Sequence, residues 1–191
     1  MAIAVNEYYG TLVNEEALRM MDDWNAYHKL LTENLSPCIA ECHSLGFTIT
    51  TPSHLYHYES IKILVPVLLR HLQDQHYFVA SRKQIGRSLE GAKRGELVPH
   101  FNELLQMYET EPAEADPDIG GVRWVIGCLL AKAAKGKAAF EKMEVLLFDK
   151  SYGFDRMSLL SCVRRMPKEQ KERVKEKIMQ DQLLHENINR R

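Results

Sequence analysis

The sequence predicts an all-α protein organised as a short α-solenoid, and three observations support this prediction. The one β-rich stretch, residues 47–51, lies between Gly46 and Pro52 and is too short and isolated to build a sheet. Elsewhere the apolar residues recur at the spacing of an α-helix. Helix pairs of similar sequence follow one another, in part at an offset of 33 residues. Repeated helix pairs of about this length are typical of α-solenoids, in which each pair buries its apolar face against its neighbours.

The N-terminal module, residues 1–57, is predicted to contain more than one helix. Asn14 is a suitable N-cap for the first, and two glutamates follow it in the first turn. Ser36 and Pro37 resemble a cap followed by proline at the first helical position, which predicts that a second, short helix begins there. Gly46 is expected to end that helix, because glycine readily adopts the left-handed conformation found at helix ends.

The central region, residues 58–166, is predicted to hold about three helix pairs. The sequence LVPVLL at residues 64–69 begins a pattern that residues 97–105 repeat, and residues 143–148 give a third copy without proline. An acidic stretch with two prolines, residues 109–121, is expected to be an extended loop inside the second pair. A second helix follows each copy, with an arginine three residues before an aliphatic residue: Arg82 and Ile85, Arg123 and Ile126, Arg156 and Leu159.

The C-terminal region, residues 167–191, is predicted to form one capping helix. It follows Pro167 and is mostly charged, with a thin apolar stripe that includes Val174 and Ile178. A polar outer face is what the terminal helix of a solenoid requires. The three regions together are expected to form a single domain, because 191 residues suffice for one self-contained core.

The repeated segments resemble HEAT-repeat proteins of the small bacterial type. LVPVLL is similar to the first helix of a HEAT unit, and VRWVIGCLL at residues 122–130 is similar to the second. The stretch LLFDKSYGFDRMSLLSCVRRM, residues 146–166, extends the similarity, which covers roughly residues 46–166. This resemblance implies a right-handed solenoid of about three HEAT-like helix pairs. It implies no single activity, because HEAT-like proteins of this type have none in common.

The overall charge is close to neutral but unevenly distributed. The chain has 25 lysines and arginines against 26 aspartates and glutamates, a formal net charge of −1. Such a balance argues against a protein whose main role is to grip nucleic-acid phosphates. Residues 1–60 nevertheless hold 2 bases and 8 acids, and residues 61–94 hold 7 bases and 2 acids. We therefore expect an acidic N-terminal module beside a basic groove wall.

Several features of the sequence bear on the cellular compartment in which the protein resides. The longest apolar run lies near residues 63–69, far short of the roughly 20 residues that span a bilayer. The first residues lack the positive and apolar regions of a secretion signal. We therefore expect a cytoplasmic protein with no membrane contact. The four cysteines are too sparse for a disulfide scaffold and are expected to be reduced thiols.

Lys83, Arg87 and Trp124 are candidate partner-binding residues. Lys83 and Arg87 stand one turn apart on one face of a predicted helix, next to other basic residues. Trp124 has two interpretations: it packs between repeats, or it faces the groove as an anchor for a partner, since tryptophan and arginine are common at interface hot spots.

The recurrent arginines give two further candidates, Arg123 and Arg156, and they also have two interpretations. Each arginine, Arg82 included, follows an acidic residue in the preceding turn, which would allow an ion pair that fixes the turn to the next helix. Alternatively, the arginines form a row of cations along one groove for an acidic partner. The acidic residues that would form the ion pairs in the first interpretation are Asp74, Asp118 and Asp149.

No residue pattern typical of catalysis or cofactor binding occurs. The sequence lacks the nucleophile-elbow, zinc-protease, phosphate-loop and dinucleotide motifs. Cys38, Cys42 and His43 could supply metal-binding atoms, but their spacing matches no compact metal motif and both cysteines fall on an apolar stripe. We therefore predict no catalytic residue, no metal and no cofactor.

The leading functional hypothesis is a non-enzymatic protein that binds another protein. One specific form is a bacterial immunity-type protein that neutralises a toxin by covering its active site, since the acidic first 60 residues would suit a basic toxin domain. The alternative is a HEAT-like alkylpurine DNA glycosylase, for which Trp124, Asp155, Lys83 and Arg87 are the candidate parts, or a nucleic-acid-binding regulator. The oligomeric state stays open.

Overall fold

The all-α prediction is confirmed by the structure, a computed structural model. It describes residues 7–112 and 121–188, with side chains for these residues except 7–22, 24 and 188. Within those ranges it contains helices and turns and no β-strand. The α-helices are α1 (Glu7–Ser44), α2 (Val65–Gln73), α3 (Val79–Glu90), α4 (Arg94–Leu97), α5 (Phe101–Thr110), α6 (Val122–Ala133), α7 (Lys137–Phe148), α8 (Lys168–Met179) and α9 (Gln182–Ile188).

Four segments adopt the tighter 3₁₀ geometry. Three of them are short connectors, and the fourth, Lys150–Arg165, is the second helix of the third repeat. Its backbone is non-helical at Gly153, where φ is +48°, so the first turn is set apart from the rest. Glycine suits this position because it has no Cβ to clash at positive φ. The three connectors are Pro52–His57, Lys62–Leu64 and Val98–His100.

The predicted helix boundary at Ser36 and Pro37 is wrong, because α1 is one helix of 38 residues that runs through Pro37. Proline has no backbone N–H, so it cannot donate to the carbonyl of Glu33 four residues earlier. The Ser36 hydroxyl donates to that carbonyl instead, at 2.8 Å. The predicted end of the helix is confirmed: Gly46 has φ +87°, and the next N–H, of Phe47, bonds back to the Cys42 carbonyl.

The helix pairs pack on one another in chain order. α2 contacts α3, α5 contacts α6, and α7 contacts the Lys150–Arg165 segment. The second helices also contact one another, α3 against α6 and α6 against the Lys150–Arg165 segment. One continuous core of buried aliphatic residues joins these pairs, and α1 adds to it from Leu31 onwards.

Two glycines allow the second helices to approach closely. A Cβ on Gly86 of α3 would lie 2.5 Å from Cγ1 of Val125 on α6. A Cβ on Gly127 of α6 would overlap the hydroxyl of Ser158 in the Lys150–Arg165 segment. Both glycines stand four residues after a recurrent arginine, whereas the third repeat has Leu160 at that position. The Lys150–Arg165 segment is the second helix of the last repeat, and no further second helix follows it. It can therefore keep a large side chain at this position.

The C-terminal region forms two helices where the sequence predicted one. α8 ends at Met179 and α9 begins at Gln182, with Asp181 between them. The Asp181 carboxylate accepts a hydrogen bond from the N–H of Leu184 at 3.2 Å, which caps α9. The same carboxylate pairs with Arg156 at 2.8 Å, so the break in the helix is tied to the preceding repeat.

No helix in the described part of the chain combines the length and apolar character needed to cross a bilayer.

Candidate functional site

The recurrent arginines are buried and cross-link successive repeats. Arg82 donates from Nε to the carbonyl of Leu72 at the end of α2, at 2.7 Å. Its Nη1 and Nη2 atoms donate to the two carboxylate oxygens of Glu111 at 2.7 and 2.5 Å. Both side chains are buried, so this two-pronged ion pair joins the first helix pair to the end of α5.

Arg123 and Arg156 repeat this arrangement one and two units along. Arg123 donates to the carbonyl of Glu111 at the end of α5, and its Nη1 lies 3.8 Å from Oδ2 of Asp155. Arg156 donates to the carbonyl of Leu147 at 3.3 Å and pairs with Asp181. Each guanidinium therefore binds a carbonyl at the end of the preceding first helix and a carboxylate from the following unit.

The partner carboxylates are not those that the sequence suggested. Asp74 and Asp149 instead accept hydrogen bonds within their own turns, from the N–H groups of His76 and Ser151 at 2.9 Å. The third predicted acid, Asp118, lies outside the described residues. Hydrogen bonds within their own turns hold these two acids, and the arginines pair instead with acids of the following unit.

A second row of cations at the other end of the repeats was not predicted. Lys132 donates to the carbonyl of Glu90 at the end of α3, at 2.5 Å. Arg165 donates to the carbonyls of Ala131 and Lys132 at the end of α6. Lys132 and Arg165 each stand nine residues after a recurrent arginine, a regularity that the sequence contains and that could have identified them.

Three of the five candidate partner-binding residues are therefore engaged within the chain. Arg123 and Arg156 lie in the buried ion pairs, and Trp124 is half-buried, with its ring stacked on Phe154 at 5.1 Å between centroids. Their roles in binding a partner stay predictions. The other two candidates, Lys83 and Arg87, lie on the surface of α3 and are brought together with residues of α1.

The surface between α1 and α3, which we call the α1–α3 groove, has a volume of 460 Å³. The two helices run antiparallel: Asn34 of α1 accepts a hydrogen bond from the N–H of Phe78 just before α3, at 3.0 Å. Earlier residues of α1 then line the same groove as later residues of α3. The lining residues are Tyr27, His28 and Leu31 of α1 and Val79, Ala80, Lys83, Gln84 and Arg87 of α3.

The groove has an apolar end and a basic end. Val79, Lys83 and Arg87 follow one another at four-residue intervals and form a single stripe along α3. Phe78 and Val79, at the start of this stripe, are 51% and 50% exposed. Lys83 and Arg87 form no ion pair with any residue whose side chain the structure describes. Large exposed apolar side chains and two cations without an ion pair among the described side chains therefore share one surface.

Tyr27 and Leu30 of α1 extend the apolar surface. Tyr27 is 48% exposed and Leu30 is 55% exposed. Sequence reasoning did not single out either residue, because both recur at helical spacing with Leu31 and Leu35, which are buried. Among the α1 side chains that the structure describes, Leu31 is the first to join the core, and those before it are exposed or half-buried.

A chain of hydrogen bonds ties α1 to α2 and to the turn before α3. The Glu41 carboxylate bonds Nε2 of His71 at 2.9 Å, and Nδ1 of His71 bonds the hydroxyl of Tyr77 at 2.8 Å. Arg70 also donates to Glu41 and is the main cause that lowers the pKa of this carboxyl. Burial raises the pKa of Tyr77 to about 12. The chain of bonds joins α1, α2 and the turn before α3, with its Tyr77 end buried and its Glu41 end partly exposed.

The cysteines are free, as the sequence predicted. Cys38 and Cys42 are fully buried, and the hydrogen bond with Cys42 together with burial raises the pKa of the Cys38 thiol. A protonated, buried thiol is unreactive. Among the residues that the structure describes, no three histidine, cysteine or acidic side chains are grouped so that they could hold a metal ion.

Asp155, the candidate acid of the glycosylase alternative, lies in the interior. It is buried beside Arg123, and its charge is one of the causes that raise the pKa of the buried Tyr108. The basic candidates of that alternative, Lys83 and Arg87, belong to the α1–α3 groove. The four candidate residues of the glycosylase alternative are thus not grouped in one site. Two lie on the surface of α3, and two lie where α6 contacts the Lys150–Arg165 segment.

Comparisons of this chain with models of known protein families, with curated proteins and with solved structures find no match.

Proposed function

We propose that this chain is a non-enzymatic, cytoplasmic protein-binding domain, built as a right-handed HEAT-like α-solenoid that captures another protein in its α1–α3 groove. The repeated contacts support the solenoid: Arg82, Arg123 and Arg156 each join the end of one first helix to the following unit. Lys132 and Arg165 do the same for the ends of the second helices. Such nearest-neighbour contacts are what hold a solenoid together.

The observation that carries the binding function is the composition of the α1–α3 groove. Tyr27 and Val79 are each about half exposed and line the groove with Lys83 and Arg87, and the half-exposed Leu30 and Phe78 stand next to lining residues in the sequence. A cluster of large exposed apolar residues beside charged ones is typical of protein interaction sites. A catalytic role gains no comparable support, because Cys38 and Cys42 are buried and His71 and Tyr77 bond to one another within the chain.

Binding follows from two properties of the groove. The cations at its basic end attract an acidic partner and speed encounter, an effect that salt weakens. The apolar side chains that line and flank the groove then lose contact with water when the partner docks, which slows dissociation. The partner is held without any covalent chemistry, and whatever surface it presents to the groove is occluded.

Charge reversal in the groove tests this function. We expect tagged full-length protein to retain a partner from its native host, and the Lys83→Glu/Arg87→Glu variant to lose it. The matched control is Lys135→Glu/Lys168→Glu, which reverses two exposed lysines on other elements and should retain the partner. If the groove variant and the control retain the same proteins in the same amounts, the α1–α3 groove is not the binding site.

An immunity-type role is a specific form of this function, and the charge distribution favours it. Residues 1–60 hold 2 bases and 8 acids, and the described acids Asp23 and Glu33 of α1 are exposed. A basic toxin domain would meet this acidic surface of α1, and an acidic segment of the same domain would enter the α1–α3 groove. If the captured partner is a toxin, adding the chain in equimolar amount should abolish its activity. A partner that keeps full activity in the complex would contradict this form and leave the binding function intact.

A further inference from the structure

We infer that the α1–α3 groove accepts an acidic amphipathic α-helix, with an apolar residue over Val79 and carboxylates one and two turns further along, at Lys83 and Arg87. This inference rests on the proposed binding function and specifies the partner segment. The spacing of the groove residues, their charge and their order along α3 support this inference.

The spacing of the groove residues matches a helix. Val79, Lys83 and Arg87 follow at four-residue intervals, so their side chains lie about 6 Å apart along α3. A ligand helix that lies along α3 presents its own residues at the same intervals. α1 and α3 supply two walls between which a third helix can pack. A strand has no such template, because the described residues contain no sheet edge to extend.

The charge of the groove selects an acidic ligand. Lys83 and Arg87 form no ion pair with the side chains that the structure describes. Two carboxylates of a ligand that enters the groove would supply partners for both cations. His28 also lines this end and adds no negative charge.

The order of apolar and basic residues, taken with the helix dipole of the ligand, favours one direction of the ligand. The C-terminal end of a helix carries a partial negative charge, which is favourable next to cations. A ligand with its apolar residue first and its carboxylates four and eight residues later puts that end beside Arg87. The reversed order brings the positive N-terminal end of the ligand to the same cation. The ligand therefore runs parallel to α3.

Peptide binding to the full-length protein tests the inference. The probe is a fluorescein-labelled alanine-rich peptide of about 18 residues, long enough to populate a helix, with Leu, Glu and Glu at successive four-residue intervals. We expect saturable binding by fluorescence anisotropy at low salt. Glutamine in place of both glutamates should weaken binding about tenfold, as should Lys83→Ala/Arg87→Ala. Lys135→Ala/Lys168→Ala is the control and should bind like the unmodified protein.

Direction and conformation are tested with two further peptides. The peptide with Glu, Glu and Leu in reversed order should bind at least about threefold more weakly, because the helix dipole then opposes the cations. A version with a central proline should lose binding, because proline breaks the helix. Equal affinity for all peptides, or equal affinity of the Lys83→Ala/Arg87→Ala variant and the control, overturns the inference. A host partner that still depends on Lys83 and Arg87 would then leave the proposed function standing.

Discussion

Arg123 lies buried at the start of α6, with its guanidinium between the carbonyl of Glu111 and the carboxylate of Asp155. The guanidinium also lies over the ring of Tyr152, 5.4 Å from its centre. Only a planar group with several fixed N–H donors can satisfy these contacts together, which explains arginine rather than lysine at this position. The position and recurrence of the arginine are visible in the sequence.

Arg123→Lys should therefore lower stability without any ligand present. Lysine cannot reach both oxygen atoms, so we expect a loss of about 2 kcal/mol in the free energy of unfolding. Chemical denaturation measures it, with Arg87→Lys as the control, because Arg87 is exposed and should change stability by less than about 0.5 kcal/mol. Unchanged stability of Arg123→Lys would contradict the structural role. It would favour the other interpretation, in which the recurrent arginines form a row of cations that binds an acidic partner.

The acids that pair with these arginines could not be predicted from the sequence. Arg82 pairs with an acid 29 residues later, and Arg156 with one 25 residues later. The spacing varies because each partner lies at the end of an element whose length differs from repeat to repeat. The turn acids nearer in sequence are more conspicuous, but hydrogen bonds within their own loops already hold them.

Gly127 offers a second prediction about single residues. A Cβ here would overlap the Ser158 hydroxyl, which is buried and donates to the carbonyl of Asp155 at 2.6 Å. Gly127→Ala should cost about 2 kcal/mol, because the overlap outweighs the better helix propensity of alanine. Gly95→Ala is the matched control: nothing lies within 4 Å of that Cβ, so stability should stay equal or rise. Equal effects of the two changes in thermal denaturation would show that α6 is not closely packed.

Among the elements, α1 differs most from its prediction. Ser36 and Pro37 carry a typical helix-start signal, yet the helix continues because the Ser36 hydroxyl satisfies the carbonyl that Pro37 leaves free. Buried residues on both sides of the proline, Leu35 and Cys38, hold the helix in line with the core. Tertiary packing here overrides a local sequence signal. The break between α8 and α9 was missed for a similar reason, since it depends on the pairing of Asp181 with Arg156.

Pro37→Ala tests the continuity of α1. Alanine restores the missing backbone hydrogen bond inside the helix, so we expect stability to rise by about 1 kcal/mol. Pro66→Ala is the control, because Pro66 stands in the first turn of α2, where no hydrogen bond is lost. Urea denaturation compares the two. A helix that began at Pro37 would instead lose stability on this change.

The contact between α7 and α8 predicts a pH dependence. Glu144 of α7 accepts hydrogen bonds from Arg173 at 2.7 Å, Lys177 at 2.9 Å and Gln170 at 3.1 Å, all on α8. These groups, Arg173 foremost, lower the pKa of Glu144 from its ordinary 4.5 to about 2. Folding thus favours the ionised form, and the stabilisation is complete above about pH 4.5 and disappears as the pH falls towards 2.

Glu144→Gln should remove this dependence. Since Arg173 and Lys177 are about half exposed, solvent screens the pairs, and we expect the unmodified protein to be more stable by about 2 kcal/mol at neutral pH. The gap between the two proteins should close as the pH is lowered below about 4.5. Urea denaturation at a series of pH values measures the gap. A gap that stays constant down to the acid limit would contradict the assigned pKa.

At the scale of the whole molecule, the sequence indicates the repeats but predicts only some of the exposed residues at the groove. The repeats are visible because each unit reuses the same residue types at similar spacing. Lys83 and Arg87 were predicted as a binding pair, and they do line the groove. Tyr27 and Leu30 were not predicted as binding residues, because the exposure of an apolar residue in a helix depends on where α1 enters the core. That point is set by the packing of α1 on α2 and α3, which helical periodicity alone does not encode.

Site-specific photocrosslinking in the native host tests the binding role of the groove most directly. A photoreactive phenylalanine analogue replaces Tyr27 in the groove or, as the control, Val145, an exposed residue of α7. We predict that illumination gives one adduct of defined mass with the probe at position 27 and none at position 145. Lys83→Glu/Arg87→Glu should abolish the adduct at position 27. No adduct at position 27, or the same adducts at both positions, would contradict a protein-binding groove between α1 and α3.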